Sequence, residues 1–187
     1  MTFHHPIARH TTRTAVFPGT FDPVHYGHID IAVRAAWIFD EVTIAVYERP
    51  HKNLLFADPA KRVALVKEAV ADYPNIKVAQ YSGLTVDYVR KVGAIAMVRG
   101  LRVFSDFELE FRMAIANRRL APDIEMVNFI TDEAHIHISS STVREIASLG
   151  GDVSSMVPPH VEAALKARFA ALGDDGPDAV GIISLRD

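Results

Sequence analysis

The chain has 187 residues, of which 49% are hydrophobic and 23% are charged, and its formal net charge is −3. This composition is typical of a globular protein with one core, and the charge balance argues against nucleic acid or an anionic membrane as a partner. The sequence contains no cysteine, which excludes disulfides, thiolate metal sites and a cysteine nucleophile.

The first half of the chain alternates predicted strands and helices. Apolar residues at helical spacing predict a helix over residues 28–39. Asp58 followed by Pro59 predicts an N-cap and first turn for a helix that runs to residue 71. Short runs rich in β-formers predict strands over 14–17, 42–47 and 76–80.

The second half continues the alternation. A helix is predicted over 85–92, with Gly93 as its left-handed C-cap. Met113, Ala116 and Leu120 follow helical spacing, and we interpret them as core or subunit interface rather than site. Further strands are predicted over 95–98 and 125–130, and further helices over 106–120, 140–149 and 158–172.

Five strands alternating with helices predict an α/β fold. We expect a single Rossmann-like, doubly wound domain with a five-stranded parallel sheet and helices on both faces. Ligands of such folds bind beyond the carboxyl ends of the strands, where the strand order reverses. The domain is predicted over residues 14–172, with a flexible N-terminal extension (1–13) and a C-terminal tail (173–187). No apolar run reaches the ~18 residues of a membrane span, so we expect a cytoplasmic protein.

A glycine-bearing turn joins the first strand to the first helix. Residues 18–28 read PGTFDPVHYGH, in which Gly19 permits close approach and Thr20 offers a hydroxyl and an N–H. His25 and His28 can donate to phosphate oxygens, and a helix start adds positive dipole. Two surface histidines on an ordinary turn are the alternative, but the complete spacing favours a phosphate site.

Two arginines flank a glycine after the fourth strand. Residues 97–102 read MVRGLR, and DFELE follows at 106–110. Arg99 and Arg102 can each grip a phosphate through two N–H groups, and Gly100 permits close approach. Glu110 is an anion, so ribose hydroxyls or a positioned arginine suit it better than phosphate. Solvated arginines in a plain loop are the alternative.

A run of hydroxyl residues opens a later helix. Residues 138–144 read ISSSTVR, which predicts a helix cap whose N–H groups can be shared with an anion; a plain capped helix is the alternative. His135 and His137 lie two residues apart and would share a face of an extended segment. A metal pair there lacks an evident third ligand.

These three motifs resemble one known family. The first contains the T/H-x-G-H signature of the nucleotidylyltransferase superfamily, and its fuller string resembles that of the phosphopantetheine adenylyltransferases. RGLR…DFELE and ISSSTVR are similar to that family's later motifs, in the same order. The resemblance implies reversible adenylyl transfer from ATP to 4′-phosphopantetheine, giving dephospho-coenzyme A and pyrophosphate. It also implies Mg²⁺ carried by ATP without dedicated protein ligands, a homohexamer, and coenzyme A as feedback inhibitor.

The resemblance also assigns residue roles. Catalysis is expected from His28, Thr20, Lys52 and Arg99, and acceptor binding from Thr20, Lys52, Thr85 and Arg99. The residues expected to bind ATP are Thr20, Phe21, His25, His28, Gly100, Leu101, Arg102, Glu110, His135, Ile136, His137, Ile138, Ser139, Ser140 and Ser141.

Two other functions remain open at this stage. One is a nucleotidylyltransferase with another phosphate acceptor, such as nicotinamide mononucleotide, or a cytidylyltransferase acting on an alcohol phosphate. The other is a nucleotide-binding regulator without catalysis, which could dispense with His28 or Thr20. A fragment of a class I aminoacyl-tRNA synthetase is disfavoured, because the chain has no K-M-S-K-S-type loop.

Overall fold

The structure is a computed structural model that describes residues 12–50 and 53–173. In these residues five strands alternate with helices, as predicted. The elements in chain order are β1 (Thr14–Gly19), α1 (Tyr26–Ile38), β2 (Glu41–Tyr47), α2 (Pro59–Ala69), β3 (Ile76–Tyr81), α3 (Thr85–Lys91), β4 (Ala96–Leu101), α4 (Phe104–Leu120), β5 (Glu125–Ile130), a 3₁₀ turn (Glu133–His135), α5 (Ser140–Ser148) and α6 (Pro159–Leu172).

The strands form one parallel sheet in the order β3-β2-β1-β4-β5. β1 pairs with β2 on one side, with Phe17 opposite Ile44, and with β4 on the other, with Ala15 opposite Ala96. The chain therefore adds β2 and β3 on one side of β1, and then returns to add β4 and β5 on the other side. The strand order reverses between β1 and β4, which is where parallel sheets bind ligands. The predicted fold class is confirmed.

Helices cover both faces of the sheet. Ala15 and Phe17 of β1 face a large core that also holds buried residues of α1, α2, α5 and α6. Val16, between them, faces a smaller core with Val86 and Val89 of α3. This division follows from the strand geometry, because successive side chains point to opposite faces.

Most element boundaries fall within two residues of their predicted positions. β1 extends two residues further, to Gly19, and α1 begins two residues earlier, at Tyr26. Asp58 caps α2 as predicted, since its carboxylate accepts a hydrogen bond from Ala60 N at 2.9 Å. Gly93 has φ +70°, the left-handed conformation predicted for this helix end.

The predicted N-terminal extension and C-terminal tail fall largely outside the described residues. Apart from residues 12, 13 and 173, nothing in the structure bears on them. Within the ranges that are described, no helix combines the length and apolar character that crossing a bilayer requires.

Candidate active site

A cleft of about 630 Å³ opens at the carboxyl ends of β1 and β4. It lies at the point of strand reversal, and the loops carrying the first two motifs form its walls. All three predicted motifs contribute to it. The predicted site residues that line the cleft are Thr20, Phe21, His25, His28, Thr85, Arg99, Gly100, Arg102, Glu110, Ser139, Ser140 and Ser141.

Other predicted site residues lie elsewhere. Leu101, His135, Ile136, His137 and Ile138 do not line the described part of the cleft. Ile138 is fully buried in the larger core. The segment with His135 and His137 is a 3₁₀ helix followed by a turn, so the extended conformation considered for this pair is wrong. Lys52 lies outside the described residues.

The turn after β1 depends on an unusual backbone conformation at Phe21. Its φ is +52°, in the left-handed region that L-residues with bulky side chains rarely adopt. The ring is buried and meets the His28 ring edge-on, with centroids 4.9 Å apart. This conformation turns the chain sharply while the phenyl ring supports the His28 imidazole from the core side.

His25 and His28 stack against each other in the cleft. Their ring centroids are 3.6 Å apart, and both belong to the start of α1. Gly27 leaves room for this arrangement, because a Cβ there would lie 3.2 Å from the His25 ring. Burial, together with repulsion from His28, Arg102 and His135, holds the pKa of His25 well below its ordinary value of 6.5. His25 is therefore a neutral ring at neutral pH.

We expect His25 to lower the stability of the protein as the pH falls below about 6.5. In that range the unfolded chain protonates His25 and the folded chain resists protonation, so protons favour unfolding. The loss is at most about 1.4 kcal/mol per pH unit and ends at the folded pKa. Urea unfolding of the wild type and His25→Asn between about pH 7.5 and about pH 5.5 measures it. We expect a shallower pH dependence in the variant; identical dependences would contradict the assignment.

Arg99 is held rigidly by Glu110 and Pro18. Its Nε and Nη2 donate to the Glu110 carboxylate at 2.9 and 2.6 Å, and its Nη1 donates to the Pro18 carbonyl at 2.8 Å. Glu110 is buried, whereas a third of the Arg99 side chain is exposed to the cleft. Of the two roles considered for this carboxylate, orienting an arginine is the one its contacts display. A bidentate pair fixes the guanidinium plane more firmly than a single bond would.

Arg102 and the start of α5 form another wall. Arg102 donates to Asp106 from Nε at 3.1 Å and to the Ile138 carbonyl from Nη1 at 3.2 Å. Ser139 caps α5 by accepting from Thr142 N at 3.0 Å. The Ser140 hydroxyl donates to the Pro23 carbonyl at 2.9 Å, which ties this helix start to the first motif.

One part of the cleft is not predicted by the sequence patterns. Met113 and Leu120 of α4 were interpreted as core or interface, yet both line the cleft and are about half exposed. Tyr81, Leu84 and Met126 also line it, so the cleft has apolar as well as polar walls. The helical spacing identified their common face correctly, but spacing alone does not tell whether that face covers a core or a cavity.

A second set of missed residues lies behind the cleft. Arg62 of α2 is completely buried. The Asp22 carboxylate, also buried, accepts from Leu55 N at 2.8 Å and from Phe56 N at 2.9 Å. Arg144 of α5 donates to the Asp22 carbonyl. These groups join the first motif to the loop before α2 and to α5.

Comparison with known proteins identifies the family of this chain. Residues 16–146 match the Cytidylyltransferase-like family. The phosphopantetheine adenylyltransferase of Roseiflexus sp. (strain RS-1) is 56% identical over 155 residues, which are 83% of this chain and 96% of that protein. The chain belongs to the phosphopantetheine adenylyltransferase family. The family member from Methylococcus capsulatus (strain ATCC 33009 / NCIMB 11132 / Bath) is 51% identical over 160 residues, covering 86% of this chain and 98% of its own length.

A solved structure supports the fold assignment of this family member. The crystal structure of a putative nicotinate-nucleotide adenylyltransferase from Vibrio parahaemolyticus aligns with a TM-score of 0.63, covering 83% of this chain and 99% of that one. At 20% sequence identity, this similarity bears on the architecture alone.

Among the described residues, no three or more histidines, aspartates or glutamates are grouped so that they could hold a metal ion.

Proposed function

We propose that the protein transfers the adenylyl group of ATP reversibly to 4′-phosphopantetheine, giving dephospho-coenzyme A and pyrophosphate. The observation that carries the proposal is the convergence of Thr20, His28, Arg99 and Ser140 on one cleft at the strand reversal. These residues come from three separate motifs, and the cleft gathers hydroxyl, imidazole and guanidinium donors around a space that fits phosphates. Relatives about 50% identical carry the name of this activity.

The cleft is lined by both polar and apolar side chains, and the proposed substrates contain both kinds of group. Arginine, histidine and serine donors suit the polyphosphate of ATP and the phosphate of the acceptor. The apolar lining residues, among them Tyr81, Met113 and Leu120, suit the uncharged arm of phosphopantetheine. The Thr85 hydroxyl, which also lines the cleft, shares a hydrogen bond of 3.0 Å with the Tyr81 hydroxyl.

The proposed reaction needs positioning and charge stabilisation from the protein. The acceptor phosphate attacks the α-phosphorus of ATP, and pyrophosphate leaves in line. The attacking phosphate is already an anion near neutral pH, so a protein base is not required. We assign stabilisation of the adenylyl group in transfer to His28, with Thr20 and His25 assisting. Arg99 holds the acceptor phosphate together with Lys52, and Arg102 and Ser140 hold ATP.

The proposed function also includes Mg²⁺, further copies of the chain and coenzyme A as partners. Mg²⁺ would enter on the ATP phosphates, as it commonly does in phosphoryl transfer. The proposal includes a homohexamer; exposed apolar side chains along α4, among them Phe104, Phe107 and Phe111, offer a surface for contact between copies. Coenzyme A, which contains the phosphopantetheine moiety, is the proposed feedback inhibitor. A cytoplasmic location suits an enzyme that consumes ATP.

The experiment that tests the proposal compares phosphate acceptors. Purified protein is incubated with Mg·ATP and either 4′-phosphopantetheine or nicotinamide mononucleotide, and the products are identified by mass spectrometry and pyrophosphate release. We expect dephospho-coenzyme A with the first acceptor and at least a hundredfold slower turnover (roughly 2.7 kcal/mol) with the second. A preference for nicotinamide mononucleotide, or no adenylyl transfer to either, would reject the proposed acceptor.

A further inference from the structure

Arg62 is a buried cation with no direct place in the proposed reaction. It lies in the first turn of α2, and its side chain is completely shielded from solvent. Burial lowers the pKa of Arg62, and the charges of Asp22 and Asp58 oppose that change. An arginine nevertheless stays charged at neutral pH. Burying a charge is costly unless hydrogen bonds compensate for it, so the contacts of this guanidinium indicate why it is there.

The guanidinium connects three stretches of main chain. Within the described residues it donates four hydrogen bonds, and every acceptor is a backbone carbonyl oxygen. Nη1 donates to Thr20 O and Tyr47 O, both at 2.8 Å, whereas Nη2 donates to Glu48 O and Nε to Phe56 O, both at 3.0 Å. One side chain therefore ties the turn after β1 to the end of β2 and to the segment before α2.

Thr20 gives this connection a link to the substrate. Its carbonyl accepts from Arg62, and the residue itself lines the cleft. The next residue, Phe21, has the left-handed φ of +52°, which ordinary local preferences would not maintain. A fixed, charged donor on the Thr20 carbonyl is a means of holding that peptide in place. Donating to four backbone acceptors also requires the planar fork of N–H groups that arginine has and lysine lacks.

We propose that Arg62 is a positioning residue that fixes the main chain at Thr20, and so determines where Thr20 presents its hydroxyl to the substrate phosphates. The inference rests on the proposed function for the role of Thr20. It predicts that Arg62 acts on catalysis through Thr20 and not through the stability of the fold alone. A displacement of about 1 Å in a positioning group can reduce the rate by about 10²-fold.

A double-mutant cycle between Arg62 and Thr20 tests this inference. Arg62→Lys, Thr20→Val and the double variant are compared with the wild type for kcat, for KM of each substrate and for the Kd of ATP. We expect Arg62→Lys to lower kcat about 10- to 100-fold when Thr20 is present, but less than about threefold in the Thr20→Val background. Arg168→Lys is the matched control, because Arg168 donates to Leu55 O in the same loop at 3.0 Å without contacting Thr20. We expect it to change kcat less than about twofold.

Several results would overturn the inference. If the loss of kcat in the double variant equalled the product of the two single losses, Arg62 would not act through Thr20. Unchanged kcat in a variant with only a lower Tm would assign Arg62 a purely structural role. If Arg62→Lys does not fold, Arg62→Gln takes its place, and failure of both to fold would also make the role structural. A wild type that does not turn over phosphopantetheine would refute the proposed function. The double-mutant cycle measured with the Kd of ATP would still test whether Arg62 acts through Thr20.

Discussion

Replacing His28 with alanine is expected to lower kcat by on the order of 10²–10³, with the Kd of ATP changed less than about fivefold. The ring lies in the first turn of α1, between the edge of Phe21 and the face of His25. It is therefore held in one orientation toward the cleft before substrate arrives. A donor fixed in this way acts mainly on charge that develops in the transition state, so its loss affects kcat more than binding.

Steady-state pyrophosphate release measures the effect of His28→Ala, and calorimetry measures the binding of ATP. His160→Ala is a suitable control, because that imidazole hydrogen-bonds the Leu65 carbonyl at 3.0 Å and does not line the cleft. We expect the control to retain kcat within about twofold. If His28→Ala retained kcat near the wild-type value, the role assigned to His28 would be wrong.

Replacing Arg99 with lysine is expected to lower kcat/KM for the phosphate acceptor by about 10- to 160-fold. Lysine keeps the positive charge but cannot make the bidentate pair with Glu110 while donating to Pro18 O. Losing one charge-assisted hydrogen bond costs roughly 1.5–3 kcal/mol, which gives this range. Kinetics with the acceptor varied at saturating ATP measure the change.

The chain provides a matched control for Arg99→Lys. Arg90 makes a comparable two-nitrogen pair with Asp123, at 3.0 and 2.5 Å, on an exposed surface away from the cleft. Arg90→Lys therefore alters the same kind of ion pair without touching the site, and we expect kcat/KM to stay within about twofold. Equal losses in the two variants would mean that Arg99 contributes only to general stability.

The fold was predictable because its signals are local and repeated. Asp58-Pro59 and Gly93 act through their own backbone preferences, and the structure confirms both helix ends. The strand positions follow from short β-rich runs, and topology rules then bring the loops after β1 and β4 to one edge. The gathering of Thr20, His28 and Arg99 in one cleft follows from this arrangement.

The parts of the site that escaped prediction depend on tertiary structure. The left-handed turn residue is Phe21 and not a glycine, because packing of its ring outweighs the local backbone preference. The 3₁₀ turn that ends at His135 occupies the segment considered as extended, because no residue pattern there distinguishes the two conformations. Arg62 left one usable signal: it falls on the same helical face as Leu65 and Val66, which are buried. A charged residue on an apolar face indicates a buried network.

The ion pair between Glu110 and Arg99 links the exposed face of α4 to the candidate active site. Within α4 the side chain that becomes buried is the Glu110 carboxylate, whereas Phe107 and Phe111 on the same helix are about half exposed. A neighbouring copy that covered those rings would brace the helix and, through Glu110, the guanidinium of Arg99. Specific activity would then depend on enzyme concentration, since dilution that separates the copies would also loosen the arginine proposed to hold the acceptor phosphate.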